Sequence, residues 1–443
     1  MTICFNCWRP TAIAIAVILL ASACSSSDNS SQPVATSDAP AATVAVSETT
    51  TAVVASTIAP ETTPPPTTIV AESAVELSTE ELVAALSSDE LNGRNNDTAE
   101  SVAARDLLIG QLELFTSPAF PDQSGSARYT QSFASGTNLL ALIPGGELAD
   151  ELVIVGAHYD HLGPGECNDL GLDDSICNGA TDNATGVAAA MSVARSIASA
   201  DKPPRRSVLI AFWDREEDGL LGAAHYVTDP SIPLENTVAY VNFDIQGANL
   251  LPGLGNATLL IGAETGGENL IESTVEATKA SSLDTFSFSL LFGQGRSDHA
   301  VLVSAGVPSV FFSDANSGCY HTVRDDLEIV DFDKLDQQIA TALALSVDLA
   351  NNDSPPAIDS DAPIATFGDA EQLLEVVRLG EADFGLFDRD TEAASRAFLS
   401  ELQTIVDAGN EAFDGAATGS LLSGASAFVS ALSELECDGY LEG

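Results

Sequence analysis

Basic residues are scarce in this chain. Sixteen Lys and Arg stand against 65 Asp and Glu over 443 residues, a formal net charge of −49. A polyphosphate backbone would be repelled, so nucleic acid is excluded as a partner. The imbalance favours solubility and suits a salty medium, where screening relieves the self-repulsion. It says little about a reaction. Aromatic residues are also few, 6% within a hydrophobic fraction of 45%, so the core must be built largely from Ala, Val and Leu. No internal repeat is visible. The length suits one large α/β domain with appendages.

Cysteine is sparse too, and its placement is informative. Cys4, Cys7 and Cys24 fall in the first two dozen residues, leaving Cys167, Cys177, Cys319 and Cys437. An even number in an exported chain implies two disulfides. Three pairings are possible; Cys167–Cys177 is preferred because it closes a short polar loop, which leaves Cys319–Cys437. A bridge over so short a loop contributes roughly 3 kcal/mol. The competing reading is four free thiols or zinc ligands.

Export itself is read from the amino-terminal end. Arg9 precedes the apolar stretch "TAIAIAVILLASA", whose 13 residues are too few to span comfortably a bilayer core of about 30 Å. "LLASAC" resembles the lipobox of bacterial lipoproteins, although Ala21 stands where leucine is preferred and Leu20 is one place early. Residues 1–23 are thus expected to be a signal peptide, with Cys24 lipidated at the cell surface. Ordinary secretion and an uncleaved anchor are the alternatives. Residues 24–73 are Ser, Thr, Ala and Pro with almost no large side chains, so they cannot offset their ordering entropy and read as a disordered tether.

The folded part is expected over 74–352, with a linker and helical extension over 353–443. "TEELVAALSS" after the N-cap candidate Ser78, "TAESVAARDLLIGQLELF", "NATGVAAAMSVARSIAS" and "DFDKLDQQIATALALSVDLA" carry helical periodicity. "TNLLALIP" and "ELVIVGAH" read as strands joined by a hairpin-like turn at Pro144-Gly145-Gly146. "SVLIAFW", "TVAYVNFD", "ATLLIG" and "PSVFF" are further strands. The first and last of these lack alternation. Such runs between helices predict a mixed, largely parallel central sheet with helices on both faces. After Asn351, "AEQLLEVVRLG", "TEAASRAFLSELQTIVDAG" and "SLLSGASAFVSALSEL" predict a small helical appendage.

In "SVLIAFWDREEDGLLG", two adjacent glutamates, Glu216 and Glu217, close an apolar run. Alone, such a pair is ordinarily a solvated turn. Its company decides otherwise. "LVIVGAHYDHLG" delivers His158 and Asp160 at a strand end, "NGATDNATG" puts Asp182 on a turn feeding a helix, and "AYVNFDIQG" ends in Asp244. Past "PSVFF", "SGCYHTVRDD" carries Tyr320 and His321. Ligands bind beyond the carboxyl ends of strands in open α/β sheets, where all of these fall. Two histidines with three carboxylates are nitrogen and oxygen donors of the kind Zn²⁺ accepts. They exceed the usual three for one catalytic zinc and suffice for two if one carboxylate bridges.

Taken together, "GAHYDH", "NGATDNATG", "REEDGLLGA", "NFDIQG", "SDHAVLVSAGVPSVFF" and "CYHTVRDD" resemble the co-catalytic di-zinc aminopeptidases in order and context. That family includes secreted bacterial leucyl aminopeptidases, glutamate carboxypeptidase and, more distantly, glutaminyl cyclase. The resemblance covers roughly residues 76–350, with "DELNGRNNDTAES" at its start. It implies two zinc ions per chain, His158 and Asp244 on one, His321 and Glu217 on the other, and Asp182 bridging. Glu216 would be the general base that takes a proton from water and gives it to the leaving amine. Asp160 would orient the His158 imidazole, and Tyr320 would donate to the developing oxyanion. The resemblance also implies a cis peptide after Asp182 and peptide or protein N-termini as substrate. A monomer, attached to a membrane only through its amino-terminal lipid, is expected. Carboxypeptidase or dipeptidase action, and glutaminyl cyclase with one zinc, are the enzymatic alternatives. A binding protein that has lost catalysis is disfavoured by the intact base and donor set. His161 is expected in a loop near the mouth of the site, His225 in a structural role, and Asp298 and His299 as supporting residues. Three departures stand out: a longer segment between His158 and Asp182, Arg215 before the glutamate pair, where it could lower the Glu216 pKa by turning inward, and Gln246.

Overall fold

The structure, a computed structural model, describes residues 75–437. The signal peptide, Cys24 and the tether lie outside the described residues. Strand β5 (Arg206–Trp213) shows how the core forms, because every one of its residues is buried. Val208, Ile210 and Phe212 join the cluster on one face of the sheet, and Leu209, Ala211 and Trp213 that on the other. Each aliphatic or phenyl side chain sealed in this way contributes roughly 1.5–3 kcal/mol. A strand buried on both faces has no polar side to alternate with, which is why its sequence is continuously apolar from Val208 to Trp213.

The remaining strands are β1 (Ser117–Pro118), β2 (Thr130–Phe133), β3 (Gly136–Ile143), β4 (Leu148–His158), β6 (Thr237–Phe243), β7 (Ala257–Ile261), β8 (Asp284–Phe288) and β9 (Ser309–Ser313). Their order is β1-β3-β5-β4-β6-β9-β7-β8, with β2 on β3. β5, β4, β6 and β9 run parallel, as does β8 with β7, whereas β3 and β7 pair antiparallel with the parallel core. The sheet is mixed and largely parallel, as expected. One expectation fails: β3 and β4 form no hairpin. β5 lies between them, and the Pro144-Gly145-Gly146 turn crosses the end of β5, where the Gly145 N–H donates to Ser207 Oγ at 3.0 Å. A fully buried strand needs two paired neighbours, and pairing on both edges outweighs the local turn.

Ten α-helices accompany the sheet among the described residues. Helices α1 (Thr79–Leu86), α2 (Ala99–Leu112) and α3 (Thr185–Ala198) cover one face, and α4 (Leu221–Thr228) packs on the other. α5 (Gly267–Ala277) and α7 (Phe332–Asn351) join the first layer, and α6 (His299–Ser304) the second. Ser78 caps α1 through a reciprocal capping box with Glu81. The extension forms α8 (Phe367–Leu379), α9 (Arg389–Ala408) and α10 (Gly415–Ser433). These helices are not a detached appendage. Leu373, Phe398 and Phe428 share one buried cluster with Ile261 of β7, Phe286 and Phe288 of β8, and Phe311 of β9. The Cys167–Cys177 and Cys319–Cys437 disulfides are both formed, and the second ties the end of the extension to the loop after β9.

Candidate metal centre

β4 ends on His158, β5 leads into Glu216 and Glu217, and β6 into Asp244. His321 follows β9, and Asp182 lies on the turn entering α3. Parallel strands in adjacent positions bring these exits to one edge, so residues spread from 158 to 321 converge. His158 Nε2 lies 3.3 Å from Asp182 Oδ1 and 3.5 Å from Asp244 Oδ1. His321 Nε2 lies 3.1 Å from both Asp182 Oδ2 and Glu217 Oε2. Neither nitrogen makes a hydrogen bond, although both are buried. Asp182 thus presents one oxygen to each histidine. Its peptide bond to Asn183 is cis.

The second half of the centre holds a residue that sequence reasoning placed in a loop near the mouth of the site. His161 is fully buried, not at the mouth, and its Nδ1 meets Glu217 Oε1 at 2.8 Å. The donor atoms of His158, Asp182 and Asp244 lie within 4.8 Å of one another, and so do those of His161, Asp182 and Glu217. His161 is packed against Gly179, whose backbone is left-handed (φ 58°). A Cβ on Gly179 would stand 2.4 Å from the imidazole, so only glycine fits there. The "HYDH" spacing was the available signal, since the second histidine follows the first by three residues in a buried loop.

Asp160 plays a divided part. Its backbone carbonyl, 3.1 Å from His158 Nδ1, is nearer that nitrogen than its carboxylate oxygen, at 3.6 Å. The carboxylate instead accepts from the backbone N–H groups of Glu216 and Glu217, at 3.1 and 3.4 Å. It therefore fixes the glutamate pair as well as the imidazole. Two further residues hold the frame and were not singled out from sequence. Asp325 accepts from the Thr181 N–H and hydroxyl and from the Asp182 N–H, at 2.8, 2.7 and 3.0 Å. Arg94, wholly buried, donates to the carbonyls of Tyr159, Leu86, Asn178 and Gly179 at 2.5–3.0 Å.

Burial and charge separate the two glutamates. Desolvation, with Asp244, Asp298 and Glu217 nearby, pushes Glu216 well above the ordinary carboxylate range against the pull of His158. Glu217 is equally desolvated, yet His161 and His321 hold it down at about 2. Desolvation opposes charge on both ligand-type histidines, but the carboxylates win, raising His158 well above its usual value and His321 to about 10. Tyr320 stacks on His321 with centroids 3.8 Å apart, and burial beside the carboxylates raises its phenol. Arg215 points outward, to Asp218 at 2.6 Å and Asp97 at 2.5 Å, so it leaves Glu216 alone. Gln246 donates to the Phe312 carbonyl at 2.7 Å, and His225 stacks on Phe133. Asp298 and His299 are buried without hydrogen-bonded partners on their side-chain polar atoms.

Fold and site together define an α/β/α protein with a buried nitrogen-and-carboxylate centre suited to divalent metal. Residues 138–346, which contain every site residue above except Arg94, match the model of peptidase family M28. Leupeptin-inactivating enzyme 1 of Streptomyces exfoliatus is 29% identical over 250 residues, covering 52% of each chain. Probable glutamate carboxypeptidase LAMP1 of Arabidopsis thaliana is 29% identical over 201 residues, 43% of this chain and 27% of that protein. The chain thus spans about half the length of the first and about a quarter of the second. The crystal structure of LapA from Legionella pneumophila matches with a TM-score of 0.50 at 20% identity, over 62% of this chain and 73% of that one, which speaks to the fold alone.

Proposed function

We propose that this protein is an exported zinc-dependent exopeptidase that acts as an aminopeptidase on peptide or protein N-termini. The observation that carries the reading is the pair of buried imidazole nitrogens, each facing two carboxylate oxygens without a hydrogen bond and sharing Asp182 between them. Buried nitrogen left unpartnered beside buried anions is unfavourable unless a cation completes the set. His158, Asp182 and Asp244 would hold one ion, and His321, Asp182 and Glu217 the other, with His161 supporting Glu217. Bound there, two zinc ions would supply Lewis acidity for attack of water on a peptide carbonyl.

The chain's own groups then divide the work. Glu216 belongs to neither donor set, lines the cavity, and has its proton affinity raised by burial. It takes a proton from the attacking water and returns it to the departing amine. Tyr320 lines the same cavity and donates its hydroxyl to the oxygen that gains charge. Asp160 holds Glu216 and His158 in register. Disulfides at two sites are consistent with export. Lipidation of Cys24 and a monomeric state complete the reading as proposed from sequence.

A panel of aminoacyl-arylamides, assayed with and without chelator beside Glu216→Gln, tests it. The variant should retain its metal by elemental analysis and lose about 10²–10⁴-fold in turnover. Normal turnover would remove Glu216 from the role of base. A second reading, carboxypeptidase action, is favoured by one feature: Arg296, a cation in a very acidic protein, lines the same cavity and suits a substrate carboxylate. Preferential cleavage of N-blocked peptides with free carboxyl ends would select that reading.

A further inference from the structure

The cavity that opens on Asp182, Glu216 and Asp244 has a volume of about 120 Å³. Away from these carboxylates its walls are mostly apolar, with Gln294, Arg296, Ser313 and Asn316 as polar exceptions. Ile261, Phe288 and Phe311 form the side contributed by the sheet. The opposite side comes from the carboxy-terminal helices, with Leu373 and Val376 on α8 and Ala425, Phe428, Val429 and Leu432 on α10. None of these last six lies in the segment that matches family M28, which ends at residue 346. One wall of the pocket beside the candidate centre is therefore built by an extension outside the matched segment.

We propose that α8 and α10 form a specificity wall, which makes the pocket a receptor for one large apolar side chain of the substrate's terminal residue. The assignment rests on the exopeptidase reading for the identity of the substrate, but not for the pocket itself. Two observations fix the occupant. The cavity is continuous with the carboxylates, so a group seated in it belongs to the residue at the reacting end. Its volume is slightly below that of an apolar cavity of ~150 Å³ known to accept benzene, so an isobutyl group fits, a phenyl group fits tightly, and an indole does not. Ala425 sets the depth. It lies on the inward face of α10 with Leu421, Phe428 and Leu432, all buried, and is the smallest of them. The Cys319–Cys437 bridge fastens the segment after α10 to the residue before Tyr320, so wall and reacting edge hold a common position.

The test uses the full chain. The ratio of kcat/KM for leucyl- over alanyl-arylamide is measured for the wild type, Ala425→Leu and Val429→Phe. Calorimetric binding of isoamylamine and ethylamine is measured on the same proteins. Val429 is half-buried, so its enlargement keeps the test available should Ala425→Leu misfold. Each added carbon in a fitted pocket is worth roughly tenfold or more and leucine carries three more than alanine, so the wild-type ratio should be on the order of 1,000. Isoamylamine should bind at least about tenfold more tightly than ethylamine. Filling the pocket should collapse both preferences to within about fivefold, on the same reasoning. A wild type without either preference, or variants that keep both, would overturn the wall while leaving any observed peptidase activity intact. Amine selectivity that collapses in the variants, in a protein that cleaves no arylamide or peptide, would uphold the wall and sink the exopeptidase reading.

Discussion

Arg94 offers the sharpest test of how the centre is held. Its guanidinium reaches four carbonyls on three segments: Leu86 at the end of α1, Tyr159 past β4, and Asn178 and Gly179 on the approach to Asp182. A fifth, that of Asp182, lies at 3.5 Å. Arg94→Lys keeps the charge and removes the planar fork. A lysine ammonium is a point donor with three protons, and it cannot span groups arranged around a flat, five-donor head. About two of the four carbonyls would be left without a partner. Each buried group so stranded costs about 1–3 kcal/mol, or roughly 2–6 kcal/mol in all. Against a folding stability of about 5–15 kcal/mol this is a large share. At about 2–4 °C per kcal/mol for a larger domain, Tm should fall by roughly 4–24 °C in calorimetry under chelator. Because the His158 exit and the Asp182 turn lose their shared anchor, zinc affinity, read by competition with a chelating dye, should drop about 10–100-fold. Burial lowers the pKa of Arg94, and the carboxylates of Asp182, Asp325, Asp160 and Glu217 oppose that shift, so the guanidinium keeps its charge. A Tm within 2 °C of wild type together with unchanged zinc affinity would refute the reasoning, and would mean that water replaces the fork without loss.

Two further outcomes follow from groups away from the centre. Burial, reinforced by Asp369, raises Glu264 from its ordinary 4.5 to about 7, while its Oε1 accepts the Leu290 N–H at 2.6 Å. The folded state therefore holds the proton longer than the unfolded chain, and stability should decline as pH rises from about 4.5 to 7, by at most roughly 3 kcal/mol and less where solvent screens it. Glu264→Gln should flatten that window in denaturant titrations, and an unchanged slope would remove Glu264 as its cause. Cys319–Cys437 closes a separation of 118 residues, so Cys437→Ser should lose roughly 2–5 kcal/mol of stability. Proteolysis should then begin in α10, and first cleavage elsewhere would show that the bridge does not hold the extension.

Much of the architecture was legible because each strand of the parallel core states its burial in its own sequence. β4, β5, β6 and β9 are short apolar runs, and the functional side chains come at their ends, in the loops that follow them or on the turn entering α3. Chain-local reading could therefore place His158, Asp160, Asp182, Glu216, Glu217, Asp244, Tyr320 and His321 at one edge before any pairing was known. What escaped was non-local. The insertion of β5 between β3 and β4 depends on which strand edges remain free, and no turn residue encodes that. β8, with Asp284 at its start and Ser287 exposed, is a polar-looking strand made stable by Phe286 and Phe288 under α8. Arg94 and Asp325 act by hydrogen-bonding backbone groups remote in sequence, so their residue types alone carry no sign of the role.

The adjacency of Glu216 and Glu217 is the part of the design that physical chemistry explains most fully. Consecutive side chains leaving a strand end diverge, and here they enter opposite fields. Glu217 faces His161 and His321 and remains ionised, which is what a metal donor requires. Glu216 is surrounded by Asp244, Asp298 and its own neighbour, so its proton is held more tightly, which is what a base near neutrality requires. A single turn thereby supplies two carboxylates of unlike basicity, and Asp160, bonded to both backbone N–H groups, locks the divergence in place. Replacing either glutamate by the other's environment would lose one function without gaining the second. The pair is therefore better described as two sites sharing one turn than as a single acidic patch, and the protein's overall negative charge has no part in creating the difference.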